Sequence, residues 1–122
     1  MPDSRSPHLL GWAYSNQGRY DEAIRECEIA IQVDRDFGNP YNDIGAYLIE
    51  LGRHEEAIPW LRKAMEAKRY EPRHYPYINL ARVYVKPGKL QEAVAELTRA
   101  LDIESTYVAA RKELHRLLGV LN

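Results

Sequence analysis

Apolar and small residues return along this chain at a fixed interval. Gly11, Gly45 and Ala81 occupy one column of the pattern, 34 and then 36 residues apart. The further columns in the same register are Gly18, Gly52 and Gly88; Glu22, Glu56 and Glu92; Ala23, Ala57 and Ala93; Ala30, Ala64 and Ala100; Leu10, Ile44 and Leu80; and Cys27, Leu61 and Leu97. A period of this length is typical of stacked helical repeats, in which each unit buries its apolar face against its neighbours. The pattern predicts three repeats, at 4–37, 38–71 and 74–107.

Each repeat is predicted to be a pair of helices divided at its glycine. The glycines of the Gly18 column are placed to end a first helix, because glycine enters the left-handed conformation that closes a helix C-terminus. Behind each glycine, apolar residues recur at helical spacing and trace one face of a second helix. Ser6-Pro7 and Asn39-Pro40 predict the starts of two first helices, since a capping residue is followed by proline.

The two ends of the chain differ from the repeats. Ser105 is predicted to cap a last helix, 106–120, which would cover the apolar face of the third repeat. The apolar stripe of this helix consists of Leu114, Leu117, Leu118 and Leu121. In the first repeat the stripe Ser6, Ala13 and Gln17 is small and polar where later repeats carry larger apolar residues. We therefore expect the array to begin with the first repeat.

The repeats also carry a recognisable motif. The first repeat reads Leu10-Gly11-x-x-Tyr14, then Gly18-x-Tyr20-x-x-Ala23, then Ala30. This sequence resembles the tetratricopeptide repeat, and the resemblance covers nearly the whole chain. It implies an all-α fold, a right-handed superhelical array of three αα-hairpins plus the capping helix, with about seven helices in a single domain, 1–122. The family's closing proline is replaced here by Arg35, Arg69 and Ser105.

The bulk composition excludes several classes of function. The chain has 122 residues, 45% apolar and 29% charged, as soluble globular domains have. Its 17 basic and 18 acidic residues leave a net charge of −1. Nucleic-acid binding depends on an excess of basic charge, which this chain does not have. The first residues show no apolar segment behind a basic start, so we expect no export signal, and no apolar run approaches the roughly 20 residues that span a bilayer. We predict a cytoplasmic protein that binds neither nucleic acid nor membrane.

Candidate catalytic chemistry is also missing from the sequence. Cys27 lies in a column filled elsewhere by Leu61 and Leu97, which predicts a core residue and not a nucleophile. His54-Glu55 starts like a metalloprotease helix, but the second histidine of that motif is replaced by Ile58. No nucleophile–base pair, metal set or cofactor motif can be assembled, so we predict no enzyme, no metal and no cofactor.

The family resemblance implies a concave groove lined by the first helix of each repeat. The candidate binding residues in this register are Arg5, His8, Trp12, Asn42, Asp43, Tyr75, Asn79, Arg82 and Lys86. The amides suit an extended peptide backbone, and Trp12 and Tyr75 offer rigid apolar surface. Arg82 and Lys86 could receive an acidic group, whereas Asp43 would oppose an all-acidic ligand. We predict a peptide or protein partner of mixed charge.

Structural interpretations compete with these assignments. Trp12 can pack at the end of the array, and Arg82 with Lys86 can form a solvated face. Some family members clamp the C-terminal carboxylate of chaperones, but the clamp positions hold His8, Trp12, Asp43, Tyr75 and Asn79 here. A chaperone-tail clamp is therefore disfavoured, and such a peptide is expected to show no saturable binding. The leading hypothesis is a non-catalytic adaptor. The alternative is a structural scaffold that forms homo-oligomers through its ends or convex face.

Overall fold

The protein is described by a computed structural model over residues 5–122, with side chains from residue 9 onward. Within this range the chain forms seven helices: α1 (Arg5–Asn16), α2 (Tyr20–Val33), α3 (Asn39–Glu50), α4 (His54–Glu66), α5 (Tyr75–Val85), α6 (Leu90–Ile103) and α7 (Val108–Leu121). Each predicted repeat contains one helix pair. The contacts group into two compact units, Met1–Glu71 with α1 to α4 and Pro72–Asn122 with α5 to α7, called unit 1 and unit 2 below. The structure confirms an all-α helical repeat fold.

The three glycines of the Gly18 column end the first helices, as predicted. Their φ angles are +75°, +79° and +85° at Gly18, Gly52 and Gly88. The residue after each glycine donates its N–H back to the helix: Arg19 to Tyr14 O at 2.9 Å, Arg53 to Leu48 O at 2.8 Å and Lys89 to Tyr84 O at 2.9 Å. This bond satisfies a carbonyl that the helix end would leave without a partner. The same type of local turn therefore ends each of the three first helices.

The predicted cap at Asn39 is wrong. The residue that precedes α3 is Gly38, and Asn39 is already inside the helix, with Pro40 in its first turn and no side-chain cap. Asn39 Nδ2 donates instead to the carbonyl of Glu71, at 3.3 Å. The backbone N–H of Gly38 is held by Arg69 O at 2.8 Å. This long-range bond positions the chain before the helix, and capping propensity contains no information about it.

The other two predicted caps are also wrong. Tyr107 precedes α7 and no side chain caps this helix, while Ser105 accepts a bond from Arg111 Nε through its carbonyl, at 2.7 Å. α1 begins at Arg5, so Ser6 is inside the helix; its side chain lies outside the described residues.

Of the predicted leucine stripe of α7, Leu117 is buried and Leu114 is partly buried.

Leu118 and Leu121, the other half of that stripe, are each 42% exposed, which contradicts the sequence expectation. α7 packs on α6 through Ala110, Leu114 and Leu117. One neighbouring helix covers a narrow strip, and the remaining leucines lie outside it. The first helix shows a similar departure. Leu10 is 44% exposed, whereas its column partners Ile44 and Leu80 are buried.

Small residues allow the helices of each pair to approach closely, as the repeated columns predict. In unit 1 a Cβ added at Gly11 would lie 3.2 Å from Ala23 O. A Cβ at Gly45 would lie 2.4 Å from Leu61 Cδ2. Ala23 and Ala57, the second-helix partners, are fully buried. In unit 2, Ala81 and Ala93 hold the same columns and belong to its core with Leu97, Ala110 and Leu117.

A backbone bridge joins the segment after α2 to the segment after α4. Arg69 N donates to Asp36 O at 2.9 Å, and Arg69 O accepts the Gly38 N–H. The Arg69 guanidinium also bonds the Asp34 carboxylate, which lowers the pKa of Asp34. Tyr41 OH donates to Arg35 O at 3.0 Å beside this bridge. The turn between the first two helix pairs is thus held without the family's proline.

One buried hydroxyl in unit 1 leads to a prediction. Tyr47 is 7% exposed, and among the described residues its hydroxyl makes no hydrogen bond. Tyr47→Phe keeps the ring and removes the unsatisfied group, so we expect unchanged or up to about 1 kcal/mol higher stability. The matched control is Tyr41→Phe, which loses the bond to Arg35 O and should cost about 1 kcal/mol. Urea unfolding followed by circular dichroism measures both; the reverse order would contradict this account.

Candidate functional site

The nine candidate residues fall into the two units. Trp12, Asn42 and Asp43 belong to unit 1, on α1 and α3. The members in unit 2 are Tyr75, Asn79, Arg82 and Lys86. The backbone of Arg5 and His8 forms part of α1, but the structure describes side chains only from residue 9 onward. The two sets are described separately below.

In unit 1, Trp12 and Asp43 are brought together across α1 and α3. Trp12 Nε1 donates to Asp43 Oδ2 at 2.7 Å. The bond fixes the indole orientation, yet 47% of the Trp12 surface remains exposed. Asn42, beside Asp43, is only 7% exposed and offers a ligand little of its amide. The arrangement presents one rigid aromatic side chain beside one carboxylate.

The thiol of unit 1 is a core group. Cys27 is fully buried, with its sulfur 3.4 Å from where a Cβ at Gly11 would lie. Burial raises the pKa of the Cys27 thiol, and the Asp43 carboxylate raises it further. A thiol with a raised pKa stays protonated at neutral pH and is a poor nucleophile. The physical setting of Cys27 agrees with the core role expected from its column.

Unit 2 contains an apolar cleft between α5, α6 and α7, with a volume of about 210 Å³. Its lining residues are Ile78, Ala81, Arg82, Val85, Leu97, Ala109, Ala110 and Glu113. Of the nine candidates, Arg82 alone is among them. The α7 side of the cleft, Ala109 and Glu113, was absent from the candidate list. Its signal in the sequence was the pair of alanines in the first turn of α7, which leaves open space beside α5.

The charged residues of the cleft have defined partners. Arg82 Nη1 donates to Asn79 Oδ1 at 3.2 Å, which brings two candidate residues together on α5. Glu113 Oε2 accepts from Arg116 Nε at 3.0 Å, one turn further along α7. This guanidinium lowers the pKa of Glu113, so the carboxylate remains ionised at neutral pH. Lys86 follows α5 directly and is exposed.

Tyr75 belongs to an aromatic cluster at the start of α5. Its ring centroid lies 4.5 Å from that of His74 and 5.7 Å from that of Tyr107. The rings of His74 and Tyr107 are themselves 4.7 Å apart. Burial, with Tyr75 adjacent, raises the pKa of Tyr107. Tyr75 thus supports the packing of unit 2 while keeping part of its ring exposed.

The unit 2 cleft has the composition of a binding surface. Across the part of the chain that the structure describes, no cluster of three or more His, Cys, Asp or Glu side chains could hold a metal ion. Within that same part, every helix is too short or too polar to cross a membrane. The unit 2 cleft offers apolar surface, one guanidinium and one carboxylate. Such a surface can hold an apolar group beside a charged one.

Comparison with known proteins identifies the architecture. The sequence profile described as tetratricopeptide repeat matches residues 4–69 and again residues 36–104. The chain belongs to the tetratricopeptide repeat (TPR) family. TPR domains are protein-interaction modules and are generally non-catalytic.

One curated relative is the small glutamine-rich tetratricopeptide repeat-containing protein 2 of Mycosarcoma maydis. The TPR chain is 35% identical to it over 54 residues, which are 44% of this chain. The matched segment spans only 15% of that relative's length. The likeness is therefore confined to a small part of the larger protein.

Solved TPR structures share the fold at low sequence identity. The first TPR of Spaghetti (RPAP3), bound to the HSP90 peptide SRMEEVD, has a TM-score of 0.86 and 22% identity and covers 98% of this chain and 93% of its own. The first TPR domain of the human RPAP3 protein has a TM-score of 0.87 and 23% identity, covering 97% and 91%. The Arabidopsis OM64 TPR domain has a TM-score of 0.83 and 21% identity, covering 93% of each chain. At these identities the likeness is one of fold.

Proposed function

We propose that this TPR chain is a non-catalytic adaptor that binds a peptide or protein segment on the faces formed by its first helices. The observation that carries the proposal is the cleft of unit 2. Apolar side chains of α5 and α7 remain accessible there between charged neighbours, Arg82 and Glu113. Apolar concave surface with a few placed polar groups is the usual composition of a binding site.

Trp12 supports the same function in unit 1. Binding energy at protein interfaces concentrates on a few residues, and tryptophan and arginine are enriched among them. The bond to Asp43 Oδ2 holds the half-exposed indole in one orientation, so less side-chain entropy is lost when a partner packs on it. Trp12 and Arg82 are therefore the proposed anchors, one in each unit.

We also propose that this chain does not clamp a terminal carboxylate, although one solved relative holds an HSP90 peptide. The clamp positions named above hold His8, Trp12, Asp43, Tyr75 and Asn79. Asp43 puts a carboxylate beside Trp12, at 2.7 Å from its Nε1. A second carboxylate placed near it would be repelled, because like charges at short range disfavour one another. The partner segment is thus expected to bind through internal residues.

The adaptor function is tested by capture from a native extract with the whole chain. The wild-type chain should retain a defined set of proteins, and the double variant Trp12→Ala/Arg82→Ala should retain roughly tenfold less of them. Tyr75 is left intact because its replacement would disturb the aromatic cluster. The control double variant, Gln32→Ala/Arg35→Ala, changes one exposed residue near the end of α2 and one exposed residue after it, and it should bind like the wild type.

The result that contradicts the adaptor is equal retention by both double variants, with both shown to be folded by circular dichroism.

The alternative function, a self-associating scaffold, has its own supporting observation. Apolar side chains are exposed on α1, at Leu9 and Leu10, and on α7, at Leu118, Val120 and Leu121. Sedimentation distinguishes the two functions. An adaptor keeps a monomer mass at all concentrations, whereas a scaffold gains mass as concentration rises.

A further inference from the structure

The size of the unit 2 cleft limits what can enter it. A cavity of roughly 150 Å³ lined by aliphatic side chains holds one benzene molecule. At about 210 Å³ the cleft therefore has room for one leucine, methionine or phenylalanine side chain. A whole helix would not fit. The cleft is a pocket for a single anchor residue.

The lining of the cleft selects an apolar anchor. Its surface comes from aliphatic side chains and alanine methyl groups: Ile78, Ala81, Val85, Leu97, Ala109 and Ala110. An amide or hydroxyl entering between them would lose its bonds to water and find no replacement among these groups, which costs free energy. A large apolar side chain has no such hydrogen bonds to lose, and its transfer out of water is favourable in free energy.

The charges around the cleft select the residues next to the anchor. Arg82 lines it, Lys86 lies four residues later, directly after α5, and Lys112 lies one turn after Ala109 on α7. The one carboxylate, Glu113, is paired with Arg116. The lining charges balance, one arginine against one glutamate, so the positive charge near the cleft comes from Lys86 and Lys112, although the whole chain has a net charge of −1. Complementary charge on a partner means aspartate or glutamate beside its anchor.

From size, lining and charge we infer that the unit 2 cleft binds one large apolar side chain from an internal acidic segment of a partner protein. The inference rests on the proposed function and adds the ligand chemistry of its site. The acidic residues contact Arg82, Lys86 and Lys112, and the anchor lies between α5 and α7. A free C-terminal carboxylate plays no part.

The inference is tested with a fluorescent peptide in which one leucine is flanked by glutamates, acetylated and amidated so that both ends are neutral. Anisotropy should show saturable binding to the whole chain. Replacing the leucine by alanine, or the glutamates by lysines, should weaken binding at least about tenfold. Added salt should weaken it as well, because part of the attraction is between exposed charges.

Two variants of the chain test whether the peptide binds in the cleft. Ala109→Phe fills the cleft from its exposed side, and Arg82→Glu reverses its main charge; each should weaken binding at least about tenfold. The matched controls make the same changes elsewhere: Ala13→Phe on exposed α1 and Arg35→Glu after α2. Both controls should bind like the wild type. If Ala109→Phe proves unfolded by circular dichroism, Arg82→Glu alone decides the matter.

Equal binding of the leucine and alanine peptides, or unchanged binding by Ala109→Phe and Arg82→Glu, would overturn the inference. So would tighter binding of the lysine peptide. These outcomes differ from failure of the adaptor itself. If the extract proteins are retained by the wild type and lost by Trp12→Ala/Arg82→Ala while no acidic peptide binds, the adaptor stands and the inference fails. If both double variants retain them equally, the adaptor fails.

Discussion

Gly45→Ala should destabilise unit 1 by about 1–2 kcal/mol, even though alanine is the better helix former. The new Cβ would lie 2.4 Å from Leu61 Cδ2 and 2.7 Å from Leu61 Cγ. Leu61 is fully buried and cannot turn into solvent. Overpacking of this kind costs about 1–3 kcal/mol, and the gain in helix propensity returns at most about 1 kcal/mol. Urea unfolding followed by circular dichroism gives the difference.

The matched control for Gly45→Ala is Gly119→Ala in α7. A Cβ at Gly119 meets nothing within 4 Å, so only the helix propensity changes. We expect this variant to gain about 0.5–1 kcal/mol. Shortening Leu61 to alanine in the Gly45→Ala background should cost less than in the wild type, because it relieves the overlap. If Gly45→Ala is as stable as the wild type, close packing at this column contributes nothing.

Arg69→Pro should also destabilise the protein, although proline is the family's own residue at this position. Proline has no N–H, and Arg69 N donates to Asp36 O at 2.9 Å in the bridge between the two turns. Loss of that bond, together with the restriction that proline imposes on Lys68, should cost about 1–3 kcal/mol. Thermal and urea unfolding both report the change.

Two further variants separate the causes at Arg69. Arg69→Ala removes the exposed guanidinium that bonds Asp34 but keeps the N–H, so its effect should be much smaller. Ser105→Pro makes the same change at the equivalent position of the third repeat. Ser105 follows Glu104, whose φ of −134° and ψ of 88° lie outside the helical region that proline disfavours in the residue before it. Ser105→Pro should be tolerated. Equal stability of Arg69→Pro and Arg69→Ala would show that the backbone bridge is dispensable.

The helix pairs could be predicted from the sequence because their causes are local or periodic. A glycine that ends a helix and an alanine that allows close approach act through residues a few positions away or one helix apart. The cap at Asn39 failed for the opposite reason. Where a helix begins depends on where the preceding backbone is held, and at Gly38 the partner is Arg69, distant in sequence.

The candidate site was predictable in part, for the same physical reason. Register along a first helix places Trp12 and Arg82 on a face, but it does not say which neighbours share that face. The bond between Trp12 and Asp43, and the contribution of Ala109 to the cleft, depend on packing between helices. The partial exposure of the α7 leucines is of this kind too, because it follows from how many helices surround α7. The repeat boundaries and the binding roles of the nine residues stay predictions.

The hydrogen bond from Trp12 to Asp43 has an optical consequence. The chain contains two tryptophans, and their surroundings differ. Trp60 is partly buried in unit 1, with the Lys63 ammonium 4.8 Å from its ring centroid, whereas Trp12 is 47% exposed and held by a carboxylate. A segment that packs on α1 would remove water from the Trp12 indole and shift its emission towards the blue, while Trp60 serves as an internal reference. The molecule thus carries its own fluorescent reporter of binding, and no dye is needed.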